Sequence, residues 1–260
     1  MNRELNAIVA IAARDITKLL RDRMRLVFSL LFPLIFIGIL GASLQANLGT
    51  NLGYNLLTFT FIGVIAQTLF QSTASGLISL VTDRDSDFAQ EMFIAPVSRY
   101  SIILGKIVGE SAVAFLLLFS LVFLGLVLQI PVDWPRLILV IPTGIVAALF
   151  GGAFGVMVMA NLSGPQAAQQ VFPFVLFPQF FLSGVFNPIT NLPPVLYVLS
   201  RIAPMTYAVD FMRGIYYLGQ PEYSLIVLHH PLVNLGIIAI YFLILLVIGT
   251  HLFVKSERTR

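Results

Sequence analysis

Residues 232–254 read LVNLGIIAIYFLILLVIGTHLFV, a run with no Asp, Glu, Lys or Arg. At 1.5 Å per residue a helix of this length crosses the ~30 Å hydrocarbon core of a bilayer. The run is continuously apolar instead of alternating every second residue, so it reads as a helix and not as a barrel strand. Five more such runs lie upstream, at 27–44, 56–81, 111–130, 137–159 and 167–186.

Composition agrees with that reading. Of 260 residues, 58% are hydrophobic and 10% charged, against roughly one quarter charged in a soluble domain. Six spans with short connections use nearly the whole chain, so the expectation is one domain, 1–260, an all-α integral membrane protein with six transmembrane helices. With no cysteine, disulfides, thiol catalysis and cysteine metal sites are excluded. Residues 1–25 carry charges throughout and do not read as a cleavable signal. Instead Leu5, Ile8, Val9, Ala12, Ile16, Leu19 and Leu20 recur at helical spacing opposite Arg14, Asp15, Lys18, Arg21 and Asp22. That pattern predicts an N-terminal interfacial amphipathic helix lying on the membrane.

Basic residues set the orientation. Twelve Lys and Arg fall on one side of the six-span arrangement, and only Arg136, Arg201 and Arg213 on the other. The positive-inside tendency then puts both termini and the 82–101 connection in the cytoplasm. The net charge of +3 is explained by this bias and implies no nucleic acid.

Two connections are long. Residues 82–101, TDRDSDFAQEMFIAPVSRYS, mix acidic residues with the apolar group Met92, Phe93 and Ile94, and apolar residues in a charged loop call for something to bury against. Residues 187–231 carry Pro188, Pro193, Pro194, Pro204 and Pro221 around two short apolar stretches. They predict outer re-entrant helices between spans five and six, sheltered by protein where the backbone is broken.

In these connections the chain resembles the type-2 permease family of ABC transporters, the membrane subunits of drug, lipid and glycan exporters. The segment from Glu91 to Arg99, followed by Leu104-Gly105-Lys106, is similar to that family's coupling-helix region. Phe181-Leu-Ser-Gly-Val-Phe-Asn-Pro188, Leu192-Pro-Pro194 and Pro204-Met-Thr-Tyr-Ala-Val-Asp-Phe-Met-Arg213 are similar to its C-terminal signature. Asp83, Asp85 and Asp87 depart from the more mixed run expected there. The resemblance implies an exporter subunit of the cell (plasma or inner) membrane. It also implies a homodimer, two ATP-binding cassette subunits that hold ATP and Mg²⁺, and contact with membrane lipids. Asp87, Glu91, Met92, Phe93, Ile94 and Pro96 become the candidate coupling residues. Pro188, Pro204, Tyr207, Asp210 and Arg213 become a candidate outer gate. The chain has no nucleotide loop of its own: five residues before Gly105, where a P-loop needs glycine, stands Tyr100, and Ile107 follows Lys106. No cofactor or metal is expected on it.

Other residues carry readings of their own. Thr60, Gln67, Gln71, Ser75, Ser79 and Thr82 form one polar stripe at helical spacing, which either lines a pathway or dimer seam, together with Gln179, or bonds neighbouring helices. Gly144, Ala148, Gly151, Gly152 and Gly155 predict close helix packing. Lys106 and Glu110 predict a local ion pair, and Asp210 and Arg213 an exposed pair on one helix face. His229 and His230 read as surface residues. A secondary transporter is the alternative, but Gln67, Gln71 and Gln179 occupy the deep positions where it needs ionisable groups. An intramembrane serine protease is remoter. Ser183 and His251 fall near opposite membrane faces, and Phe181 stands where the motif needs glycine.

Overall fold

Every regular element among the described residues is helical, a form in which each segment satisfies its own backbone where water cannot. The computed structural model describes residues 3–22, 24, 31, 33–48, 52–79, 98–162 and 164–258. α1 (Arg3–Arg21) is followed by a π-helical segment, Leu34–Gly41, that runs on into α2 (Ala42–Leu48). Next come α3 (Leu56–Gly76), α4 (Arg99–Val127), α5 (Trp134–Ile138) and α6 (Val140–Met159). α7 (Pro165–Leu182), α8 (Pro194–Ile202), α9 (Pro204–Tyr216), α10 (Tyr223–Ile226) and α11 (Pro231–Arg258) follow.

The helix starts follow local chemistry. Asn55 accepts a hydrogen bond from Thr58 N at 3.0 Å to cap α3, and Ser98 Oγ accepts one from Ser101 N at 3.1 Å to cap α4. α5, α7, α8 and α9 each carry proline in their first turn, where a missing N–H costs nothing.

Leu56–Gly76, Tyr100–Val127, Trp134–Met159 and Tyr223–Lys255 are long and apolar enough to cross a membrane. They correspond to the second, third, fourth and sixth expected spans. The expected first span is described only from Leu31, and its helix runs four residues past the expected end at 44, to Leu48. The expected fifth is α7, which ends at Leu182, carries Pro173 and Pro178 inside it and opens on Gln166, Gln169 and Gln170. The six-span expectation therefore stands at an all-helical bundle with four such helices among the described residues.

α3 is the hub, packed against α4, α6 and α9, whereas α11 lies at the edge against α6 and α9. Glycine makes the closest of these contacts possible. A Cβ at Gly155 would sit 2.6 Å from Ala74 O, and one at Gly151 would run into the backbone of Phe70. The small-residue pattern of this span serves close approach to α3.

α1 runs parallel to the first part of α4. Its Ile8 lies over Gly105, where a Cβ would be 3.1 Å from Ile8 Cα, and its Ala12 over Gly109, at 3.0 Å. The buried line is Ile11, Asp15 and Leu19, while Leu5, Val9 and Leu20 stay exposed. Length makes room for this pairing: 29 residues give α4 about 43 Å, more than a bilayer core needs.

Filling the α3–α6 contact tests the packing. Gly155→Leu should lower stability by roughly 1–3 kcal/mol or more, read by thermal unfolding in detergent. Gly236→Ala, on α11 with nothing within 4 Å of its Cβ, should be neutral or stabilising by about 0.5–1 kcal/mol.

Candidate functional site

Eleven of the thirteen residues of α9 are buried, because the helix is wedged among α3, α6 and α11. Two of the eleven are charged. Arg213, 3% exposed, donates from Nη1 to Gly184 O at 2.6 Å, and from Nη2 to Val185 O at 2.8 Å and Phe59 O at 3.0 Å. Its guanidinium carbon lies 3.5 Å from the Phe59 ring centroid, a cation–π contact in a dry setting. Gly63, one turn past Phe59, lies under the guanidinium and has no room for a Cβ. Gly184 adopts φ +78°, the left-handed turn after α7. Arg213 thus joins three pieces of chain: α3, the turn after α7, and its own helix.

Asp210, 4% exposed, accepts from Leu228 N at 2.8 Å, His229 N at 2.9 Å and Asn234 Nδ2 at 2.7 Å. It fixes α9 to the start of α11. Burial pushes its carboxyl above the usual range, while these hydrogen bonds and the Arg213 charge work against the rise. Burial likewise draws Arg213 down to about 10. The expectation of an exposed Asp210–Arg213 pair is corrected: both are buried and each serves backbone groups, because the broken chain around α9 has unmet donors and acceptors that neighbouring side chains must satisfy.

The other members of the expected gate surround this core. Tyr207 Oη donates to Arg201 O at 2.6 Å, tying α9 to α8. Pro188 is buried and precedes the 3₁₀ turn Ile189–Asn191, and Pro204 opens α9. His229 is half-buried; its ring accepts from Arg201. Arg136 donates to Leu218 O at 2.7 Å and pairs with Asp133 at 2.9 Å, whose N–H in turn donates to Tyr216 Oη. So Arg136, Arg201 and Arg213, the three that stood apart in the charge count, all brace the region around α9.

At the other end of α3 is a second cluster. Lys106 Nζ lies 2.7 Å from both carboxylate oxygens of Asp15 and 3.2 Å from Glu110 Oε1, with all three residues about 3% exposed. The local Lys106–Glu110 pair is present as its spacing predicts. Asp15, the nearer partner, lies 91 positions away, and no sequence signal pointed to it. The Glu110 carboxylate in turn packs directly on Gly76 at the end of α3. Gly105 and Lys106 sit inside a helix with the ammonium already occupied, which is no phosphate cradle.

The polar stripe divides. Thr60 and Gln67 are buried at 0% and 1%, and Gln67 donates to Gln71. Gln71, Ser75 and Ser79 are half-buried. Gln71 borders a cleft of about 90 Å³ shared with Pro173, Leu176, Phe177 and Phe180 of α7. Gln179 is turned away from the stripe; its Nε2 donates to Val175 O at 3.2 Å and its Oε1 accepts from Met205 N at 3.4 Å. Ser183 Oγ donates to Phe180 O, an ordinary helix-end bond. Asp87, Glu91, Met92, Phe93, Ile94 and Pro96 lie outside the described residues, as do Thr82, Asp83 and Asp85.

Long apolar helices gathered around a half-polar central one define an integral membrane protein. The chain belongs to the ABC-2 type transporter family, whose model matches residues 6–217. It is similar to the "Putative transport permease ycf38" of Cyanophora paradoxa, 26% identical over 204 residues, which cover 76% of this chain and 70% of that protein.

Removing the Arg213 donors should leave buried carbonyls unsatisfied, each costing about 1–3 kcal/mol. Arg213→Met is therefore expected to lower the unfolding temperature in detergent more than Asp210→Asn, which keeps one acceptor oxygen.

Proposed function

We propose that this chain is the permease subunit of an ATP-driven exporter, in which two copies and two ATP-binding subunits move a hydrophobic or amphipathic substrate such as a drug, a lipid or a lipid-linked glycan. The observation that carries the reading is the family match over residues 6–217 in a chain whose one Gly-Lys dipeptide is locked in a buried ion pair. In this reading the nucleotide site and the motor belong to a separate ATP-binding subunit.

In this reading residues 82–101 face the cytoplasm of the cell membrane, and Asp87, Glu91, Met92, Phe93, Ile94 and Pro96 form the short helix that the motor grips. The basic-residue asymmetry supports the orientation. α8 and α9 form the re-entrant outer region, with Pro188, Pro204, Tyr207, Asp210 and Arg213 holding it in place over the pathway. The α3–α7 cleft is the candidate pathway wall. Against the other described elements α7 packs sparingly, and it exposes Phe174, Phe177 and Phe181. Such a face suits the second copy of the chain and favours a homodimer.

Co-purification is the direct test: an ATP-binding subunit should accompany the unaltered chain and be lost on Phe93→Asp, with the permease still folded. Transport that persists with no such subunit present would sink the proposal in favour of a secondary transporter. In the cysteine-free background, cysteines at Gln71 and Ser75 should react with a water-soluble thiol reagent, whereas those at Thr60 and Gln67 should not. Protection at all four positions would remove the α3 face from the pathway.

A further inference from the structure

We propose that Asp15, Lys106 and Glu110 are positioning residues that clasp α1, the first part of α4 and the end of α3 into one rigid block, through which displacement of the 80–97 segment reaches the spans. The inference rests on the exporter reading above and adds to it the route by which motion enters the bundle.

Connectivity defines the block. The 80–97 segment leaves the chain just after α3 and rejoins it at Ser98, the cap of α4. A push on that segment therefore acts on the end of α3 and the start of α4 together. The triad sits across these two ends: Lys106 and Glu110 are on α4, and the Glu110 carboxylate lies on Gly76 of α3. Asp15 brings in α1, whose backbone already lies against Gly105 and Gly109. Two helices in parallel contact resist bending better than one. α1 braces the first part of α4, around Gly105 and Gly109.

The chemistry suits a clasp more than a plain structural bond. Three charges shielded from water, with both carboxylates on one ammonium, hold their geometry tightly. A buried ion pair is a weak source of stability compared with apolar packing of the same shape. An ion cluster buried at this junction suits a role in fixing relative position. Glycine at 105 and 109 lets α1 come close, but glycine contacts alone would allow it to slide along α4, and the Asp15–Lys106 bond sets the register.

The test uses the permease reconstituted in nanodiscs with its ATP-binding subunit. Asp15→Asn, Lys106→Met and Glu110→Gln together replace all three members of the triad with neutral side chains of similar size, so folding and assembly should survive. Spin labels on cysteines introduced at Leu20 of α1 and Val108 of α4, both exposed, report the distance between the two helices. Expected are a roughly tenfold loss of permease-stimulated ATPase in the neutral triple variant, retention of that stimulation in Lys106→Arg, and an α1–α4 distance that is narrow and unchanged between nucleotide-free and vanadate-trapped states. That distance should broaden in the triple variant. Full stimulation in the triple variant would overturn the proposal, and so would a distance that shifts with nucleotide in the otherwise unaltered chain. If the triple variant fails to assemble, the second measurement decides alone. If no ATP-binding subunit accompanies the unaltered chain, the exporter reading fails, and the distance in the isolated permease, with and without the triad, decides the rigid block.

Discussion

The buried guanidinium of Arg213 meets the constraint on which the rest of this structure turns: where water is scarce, no backbone carbonyl or amide can be left without a partner. The long helices satisfy that rule internally. The chain between α7 and α9 cannot, because it reverses at Gly184 and is interrupted by prolines. Arg213 supplies donors to the carbonyls of Gly184, Val185 and Phe59, and so permits a break in the helical pattern inside a dry bundle. A planar, multiply donating cation suits this task better than the compact ammonium of lysine. The Phe59 ring faces its remaining charge.

The two ends of α3 are therefore fixed by different chemistry. At one end arginine binds carbonyls and Asp210 binds amides, so α9 is riveted between α3 and α11. At the other, carboxylates and an ammonium clasp α1 and α4 at Gly76. Between these ends α3 is covered by α6 through a glycine seam that brings the backbones together. The central helix is held along its whole length.

α7 is built in the opposite way. Pro173 and Pro178 each remove a hydrogen bond from its interior, Phe174, Phe177 and Phe181 are exposed, and its contacts with the other described elements are few. The cleft beside Gln71 opens along this helix. A riveted hub and a proline-interrupted helix stand side by side in the same bundle.

Much of this was legible from one dimension. Continuous apolar runs determined an all-helical membrane protein, Pro193, Pro194 and Pro204 bracketed two short helical stretches, the glycines of the fourth run marked a seam, and the spacing of Lys106 and Glu110 marked their pair. These features are local: each depends on residues within a few turns, and hydropathy and periodicity record that range. Only the tertiary structure decided that α1 docks on α4, that Asp15 rather than Glu110 is the nearer partner of Lys106, that Asp210 and Arg213 are buried and serve different strands of chain, and that Gln67 is enclosed while Gln71 borders a cleft. Asp15 and Lys106 are 91 positions apart, and Phe59 and Arg213 are 154. Such partners are chosen by which helices pack and by how a long side chain can reach an unmet group, and neither is written in the residues next to it.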